Sequence, residues 1–562
     1  MTSSSRLTVR AATSAANHAT LGGGWVHATL GGIVHVDGLD SDADASDTQG
    51  GVLWLGQGAH VQLSGGWLDS ASAPRGGSLY LSDAVAQLSN VSVRCAAGVR
   101  ADAGGALLLI DGASATLSAS HIGGCEAARG GAVQLNSSSD ASRGHGRTDT
   151  YAIAAAPQLE LLDNSSIVDC SATVAGGGID AVGTAARPVA LRVVDSSVRG
   201  SRCDGCEGGG VRLEAGSLAL HAALLVANEA AHGGGMHVTA ANVVVNTSTL
   251  RHSNASVDGG AVFATGSSDV DVAAGSLLEA NRAAQSGGAM HLLGSSSARL
   301  RDSAALRNNS AERGGGVSAL GASLSLRDVE LVENAASDGG ALYASGATLL
   351  IDSTVARENM ARDHGGAVAV VQATQLSVRS SHLSRNRCEA GLGGAMRVER
   401  SSVQMDDVVL EANAAGSGGE WPPTHSHRRF YAQPPSTAPS YAQPPLHSSL
   451  LRTATIAQLP PPSIAPRHAI QNPPHELSGA SFSTAPLHSS PNDPCPDHRR
   501  RTLHSPQAPS ALPRRRRGSI RRVSSSAPLS TTLRRRRPSS APRRLSPPRN
   551  RRRPKPRAVR CT

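Results

Sequence analysis

The stretch Leu278-Glu279-Ala280-Asn281, followed after five residues by Gly287-Gly288-Ala289-Met290, decides the fold. Its second half recurs as Gly130-Gly131-Ala132-Val133-Gln134-Leu135, Gly259-Gly260-Ala261-Val262-Phe263-Ala264 and Gly393-Gly394-Ala395-Met396-Arg397-Val398. The second glycine of each couplet stands at 51, 77, 105, 131, 177, 209, 234, 260, 288, 315, 340, 366, 394 and 419. The steps are 25 to 28 residues, except for one of 46 and one of 32. Gly23 precedes Gly51 by 28 and opens one further rung. The longest step carries a polar insertion, Asn136 to Thr150, which reads as a loop on one face.

So regular a period means stacked units, none able to bury its apolar face alone. Helical repeats would need long runs at 3.6 periodicity. Here apolar residues alternate with period two in short runs such as Val211-Arg212-Leu213 and Ser323-Leu324-Ser325-Leu326. Such runs, separated by Gly, Ser and Asn, are strands and turns. A coil of this length holds three short strands, each pairing in parallel with its equivalent one coil on, roughly 4.8 Å away. The expectation is an all-β chain: a right-handed parallel β-helix solenoid of 14–15 coils over residues 23–419, with residues 1–22 as an N-terminal segment or cap.

An Asn stands six to eight residues before most second glycines: Asn228, Asn254, Asn281, Asn309, Asn334, Asn359, Asn386 and Asn413. Stacked one per coil, their amides would form a hydrogen-bonded ladder inside a turn. Earlier coils place Cys95, Cys125, Cys170 and Cys203 there. These are either small buried thiols or disulfides between neighbouring coils, and the second reading implies an oxidising compartment.

The couplet Gly-Gly-Ala-apolar with an upstream apolar-x-x-Asn is similar to the repeats of the chlamydial polymorphic membrane proteins. It covers most of residues 50–419, with Leu, Val or Ala mostly replacing that family's Phe, as at Leu225 and Leu331. The resemblance implies a surface-exposed adhesin, extracellular or at the cell surface. That family's C-terminal membrane barrel has no counterpart here, because the tail lacks alternating apolar strands. More loosely, the pattern resembles pectin-lyase-like β-helices, whose enzymes act on polysaccharide.

The variable residue of each post-glycine strand should point to solvent. It forms one column: Trp54, Tyr80, Leu108, Gln134, Asp180, Arg212, His237, Phe263, His291, Ser318, Tyr343, Ala369 and Arg397. Four of the seven aromatics before residue 420 fall in it. One reading is a ligand-binding face built on Trp54, Tyr80, His237, Phe263, His291 and Tyr343, offering rings to sugars or to a partner's apolar groups. The other is cross-strand packing of rings that favour strand positions. Asp180, Arg212 and His237 follow one another and are the candidates for polarising and deprotonating a substrate. No second carboxylate joins them, so the paired-acid hydrolase arrangement is absent from the column. The run Asp37, Asp40, Asp42, Asp44 and Asp47 has spacing suited to an oxygen-rich metal site, with Asp40, Asp42 and Asp44 as its candidates, but it lacks the glycine and terminal Glu of an EF-hand loop. No cofactor is expected. Asn90-Val91-Ser92, Asn164-Ser165-Ser166 and Asn246-Thr247-Ser248 are sequons that matter in a secreted chain.

Charge divides the chain in two. From residue 420 onward there are 26 Lys and Arg against 4 Asp and Glu, which leaves 27 against 39 before it, so the parts carry about +22 and −12. Only Pro74, Pro157 and Pro188 precede residue 420, and the other 27 of 30 prolines follow it. Residues 420–562 read as a disordered Pro/Arg/Ser-rich tail. Its runs Arg514–Arg517 and Arg534–Arg537 would attract nucleic acid or acidic membranes, and Arg521-Arg522-Val523-Ser524 resembles a basophilic-kinase site. Gly419-Glu420-Trp421 can also be encoded around a splice-donor sequence, so a translated intron is a second reading of the tail. No run reaches the roughly 18 apolar residues of a membrane span. Met1 to Thr20 has no apolar core, so the chain either stays inside the cell or has an incomplete start. The residues thus point first to a non-enzymatic scaffold presenting a binding face to polysaccharide or a surface partner. A carbohydrate-active β-helix enzyme and nucleic-acid binding through the tail are the alternatives.

Overall fold

The computed structural model describes residues 5–137, 155–373 and 375–416. They form a parallel β-solenoid without a helix. One coil shows the plan: strand Met236–Thr239, a turn, strand Asn242–Asn246, a sharp corner, strand Thr249–Arg251, a second corner, and strand Asn254–Asp258 leading to the next glycine couplet. Each strand pairs in parallel with its equivalent in the next coil. The post-glycine strands build a 14-stranded sheet from Val26–Ala28 to Met396–Glu399. The next two strands of every coil build a long sheet around a bent edge. The strand before each couplet builds short third sheets.

The long sheet begins with Arg6–Ala15 lying on Ile33–Asp42. Of the N-terminal segment or cap expected over residues 1–22, Arg6–Ala15 pairs as a strand of the stack, and there are about fifteen coils in all. Strand alternation explains why it joins: Leu7, Val9 and Ala12 pack against the apolar core. That core is a single continuous cluster of buried Val, Leu, Ile, Ala, Met and Cys side chains running the length of the stack. No fully buried aromatic belongs to it, because successive coils leave only a narrow space between inward faces.

Both glycines of a couplet are required, for different reasons. Gly130 has φ +60°, and a Cβ on Gly131 would overlap the carbonyl oxygen of Gly177 one coil on. The first coil's second glycine is Gly24 and not Gly23: Gly24 donates to the Gly51 carbonyl at 2.9 Å, and Gly23 takes the positive φ.

The Asn ladder forms with one change of member. Asn281 Nδ2 donates to Asn309 Oδ1 at 3.1 Å, and the chain continues through Asn334, Asn359, Asn386 and Asn413 at 2.9–3.1 Å. Asn228 occupies an earlier rung, its Oδ1 accepting from Ser201 N. Asn254 is not in the ladder. It pairs with Glu229 on the following strand, and Ser253 holds the ladder rung instead. Cys203 is likewise displaced: it stacks between Ala172 and Ala230, while Ser201 takes its rung. Cys203 bonds to Cys206 of the same coil, with Cα atoms 5.3 Å apart. Cys95 and Cys125 form the disulfide between neighbouring coils, Cα–Cα 4.9 Å, and Cys170 is a buried free thiol. Most of the insertion 136–150 and all of the tail from 420 onward lie outside the described residues.

Candidate functional site

The register of the 14-stranded sheet brings the expected column together residue for residue, from Trp54 beside Tyr80 to Ala369 beside Arg397, and His27 extends it by one. Its exposure is the correction. Tyr80, Gln134, Asp180, His237, Phe263, His291 and Ser318 are all buried, and only Trp54, Arg212, Tyr343 and Arg397 are half-exposed. The column is the floor of a trough.

The trough follows from the glycine couplets. They place no side chain between the column and the residue just before each couplet. Those preceding residues form their own ladder, including Arg129, Glu207, His232, Asp258, Arg313 and Asp338. They lean over the floor as a wall. Trp54 Nε1 donates to Gln49 Oε1 at 2.8 Å, and the Arg313 guanidinium lies 6.0 Å over the Tyr343 ring. The rings then cover one another. His27 and Trp54 stack with centroids 4.1 Å apart, and Trp54 and Tyr80 at 5.8 Å. His237, Phe263 and His291 form a second stack at 5.0 and 5.3 Å, with His232 tilted against Phe263 at 5.2 Å.

Between the two stacks, after Leu108, the floor turns polar at Gln134, Asp180 and Arg212; Asp180 and Arg212 pair there, and His237 adjoins Arg212 as the first ring of the second stack. Asp180 is fully buried and accepts from Arg212 Nη1 at 3.1 Å and Gln134 Nε2 at 3.2 Å, with Arg129 Nη1 at 3.6 Å. Arg212 also donates to Glu207 at 3.1 Å and Glu214 at 2.7 Å. Burial pushes the Asp180 carboxyl up, opposed by Arg212 and Arg129. Burial would weaken the Arg212 guanidinium, but Asp180, Glu207 and Glu214 outweigh it and hold it protonated. Burial lowers His237 to about 4 against the partial pull of Glu207, whose carboxylate is 3.6 Å from Nδ1. Its buried Nδ1 has no hydrogen-bond partner, and the same is true of His291, also lowered to about 4 by burial. Beside this network the wall opens into a cavity of about 330 Å³ lined by Arg129, Cys206, Glu207, Arg212 and His232 among others. Chemically, the cavity offers the Arg129 guanidinium and the His232 imidazole, while Arg212 is engaged by Asp180, Glu207 and Glu214, and Glu207 adds a carboxylate to the lining.

The acidic run does not converge. Asp37, Asp40, Asp42 and Asp47 are exposed, whereas Asp44 turns inward as a ladder member. It accepts from Ser14 at 2.5 Å, Ser41 at 2.7 Å and Asn17 N at 2.8 Å, and Asp47 pairs with His18 at 2.8 Å. Among the described residues no group of three His, Cys, Asp or Glu is placed to hold a metal ion, and no helix is long and apolar enough to cross a membrane. Sequon residues Asn90 and Asn164 are exposed at corners with φ +55° and +64°, and Asn246 is half-buried. The sequence reading passed over Trp67, which is 50% exposed on the long sheet. A solitary aromatic at an outward position of strand His60–Ala71 was the available signal.

No family model matches the chain, and no curated protein matches it, so the likeness to chlamydial membrane-protein repeats has no family model behind it. Among solved structures, a variant of the periplasmic alginate epimerase AlgG is similar at 11% identity with a TM-score of 0.31, over 69% of this chain and 78% of that one. The unmutated epimerase gives 11% and 0.26 over the same shares.

Proposed function

We propose that this protein is a non-enzymatic elongated scaffold, adhesin-like, whose trough along the 14-stranded sheet is its binding face for polysaccharide or a surface partner. The observation that carries the reading is the unbroken register of the column, which sets rings and cations at one-coil intervals, roughly 4.8 Å apart. Trp54 and Tyr343, half-exposed, are the contact residues in this reading. Tyr80 supports Trp54 by stacking, and His237, Phe263 and His291 form a second stacked part of the floor. The likeness of the repeats to surface adhesins and the Cys95–Cys125 bond both favour an oxidising location outside the cytoplasm. Depletion binding to insoluble polysaccharides tests the reading. Retention without release of product, lost in Trp54→Ala and Tyr343→Ala, supports it. Retention unchanged in both variants defeats it.

A lyase or hydrolase working in the cavity beside Arg212 is the second reading, favoured by the convergence of Arg129, Arg212 and His232 there. In that reading Arg129 would hold an anionic substrate, Arg212 would keep Glu207 and Asp180 in place, and His232 would move the proton. Product release that disappears in both Arg212→Gln and His232→Gln would select it over the scaffold.

A further inference from the structure

A second cavity, of about 390 Å³, lies on the long sheet, away from the trough. Trp67 lines it with half of its surface open to solvent, beside the exposed Asn90 and Arg94 and the buried Val91. One coil on, the exposed Arg94 places its guanidinium 5.1 Å over the Trp67 ring. No ion pair links Arg94 to a carboxylate among the described residues. Two coils on, His121 sits in the same file as Trp67 and Ser92, its Nδ1 held by Ser166 Oγ at 2.6 Å, so that Nε2 is left for another partner. Asn90, at a corner with φ +55°, is part of the lining.

Four kinds of group therefore converge: an apolar plane, a cation fixed by stacking on that plane, an imidazole and a carboxamide. A stacked guanidinium keeps its N–H edge free for a planar anion, which it can take in a bidentate manner. An open indole covers the C–H face of a pyranose. Small dipolar groups at the rim suit hydroxyls. We propose that this corner is a binding site for a pyranose unit bearing an acidic group, either carboxylate or sulfate, seated on Trp67 and paired with Arg94. The site shares no residue with the trough, so either reading can fail without the other.

Calorimetric titration of the full chain with trigalacturonate, with its methyl ester and with a sulfated galactotriose tests the proposal. An acidic ligand should bind at least tenfold more tightly than the ester, and comparing the two acids tells which anion the site takes. Trp67→Ala should abolish binding of all three. Arg94→Gln should bring acid and ester to the same affinity while keeping the weaker, stacking-driven binding. Trp67 is half-exposed and its strand is held by backbone pairing, so an unchanged melting temperature is the expected control. Equal affinity for acid and ester in the unsubstituted protein overturns the proposal. So does Trp67→Ala titrating normally, or no heat from any ligand.

Discussion

Glu333 has φ +54°, and so, within a few degrees, do Ala280, Asn308, Arg385 and Ala412, each immediately before a ladder Asn. A side chain in this region costs about 1–2 kcal/mol, so something must hold each corner closed. The next amide does so. Asn334 donates to Leu306 O at 2.9 Å and to Asn359 Oδ1 at 3.1 Å, and its Oδ1 accepts from Asn309 N at 3.1 Å and Asn309 Nδ2 at 3.0 Å. Asn334→Ala leaves those buried donors and acceptors unsatisfied and should lower unfolding free energy by about 3 kcal/mol, read from urea denaturation. The converse case exists in the molecule. Ser253 and Ser201 occupy ladder rungs with buried Oγ atoms that lack a partner. Ser253→Asn, placed between Asn228 and Asn281, should therefore raise stability by about 1 kcal/mol in the same assay. A neutral or destabilising result would show that the serine rungs are shaped against an amide.

The ring stack His237–Phe263–His291 belongs to three adjacent strands and makes the trough floor sensitive to pH as a unit. Glu207, Arg212 and Glu214 face His237, Asp258 and Arg313 face His291, and His232 bears on both. Both imidazoles ionise at about 4 when folded, against 6.5 when free, because burial disfavours their charged forms. Their contribution is thus complete above pH 6.5 and is lost as pH falls from 6.5 towards 4, by about 3 kcal/mol per ring. The melting temperature should drop over that window, and His291→Gln should flatten the drop; an unaltered profile would place the loss elsewhere. This element also marks where the sequence stopped being legible. Period-two alternation said correctly that His237 and Phe263 turn away from the core and that they share one file. It could not say that they are covered, because the cover comes from Glu207, His232 and Asp258 across a glycine corner, and no periodicity reports how a wall leans. The ladder failed at Asn254 for a related reason: a spacing window six to eight residues wide admitted the conspicuous Asn and passed over Ser253, which the register selects. Trp67 was missed because its file, Asp40, Trp67, Ser92 and His121, repeats a position but no residue type.

Across the whole molecule the ladder file changes character from one end to the other. Asn17, Asp44, Ala71, Cys95, Cys125, Cys170, Ser201, Asn228 and Ser253 precede an unbroken run of Asn. Where amides are missing, the Cys95–Cys125 bond ties two coils covalently. It spans 30 residues, so removing it through Cys125→Ala should cost about 3.5 kcal/mol. Because a solenoid couples each coil only to its neighbours, the loss should stay local. Amide exchange should accelerate at Leu109 and Leu135 and stay unchanged at Ile351; acceleration throughout would mean that the stack unfolds as one body. A further consequence concerns force. A stack bound only coil to coil, when pulled by its ends, peels one turn at a time, and each turn that lets go lengthens the tether by roughly 90 Å of extended chain. The force trace would be a nearly even sawtooth, interrupted by longer steps at the coils of 46 and 32 residues and by a missing one at the turn locked between Cys95 and Cys125, whose 30 residues the cross-link keeps from extending. The molecule would thus act as an extensible spring with a fixed stop near one end.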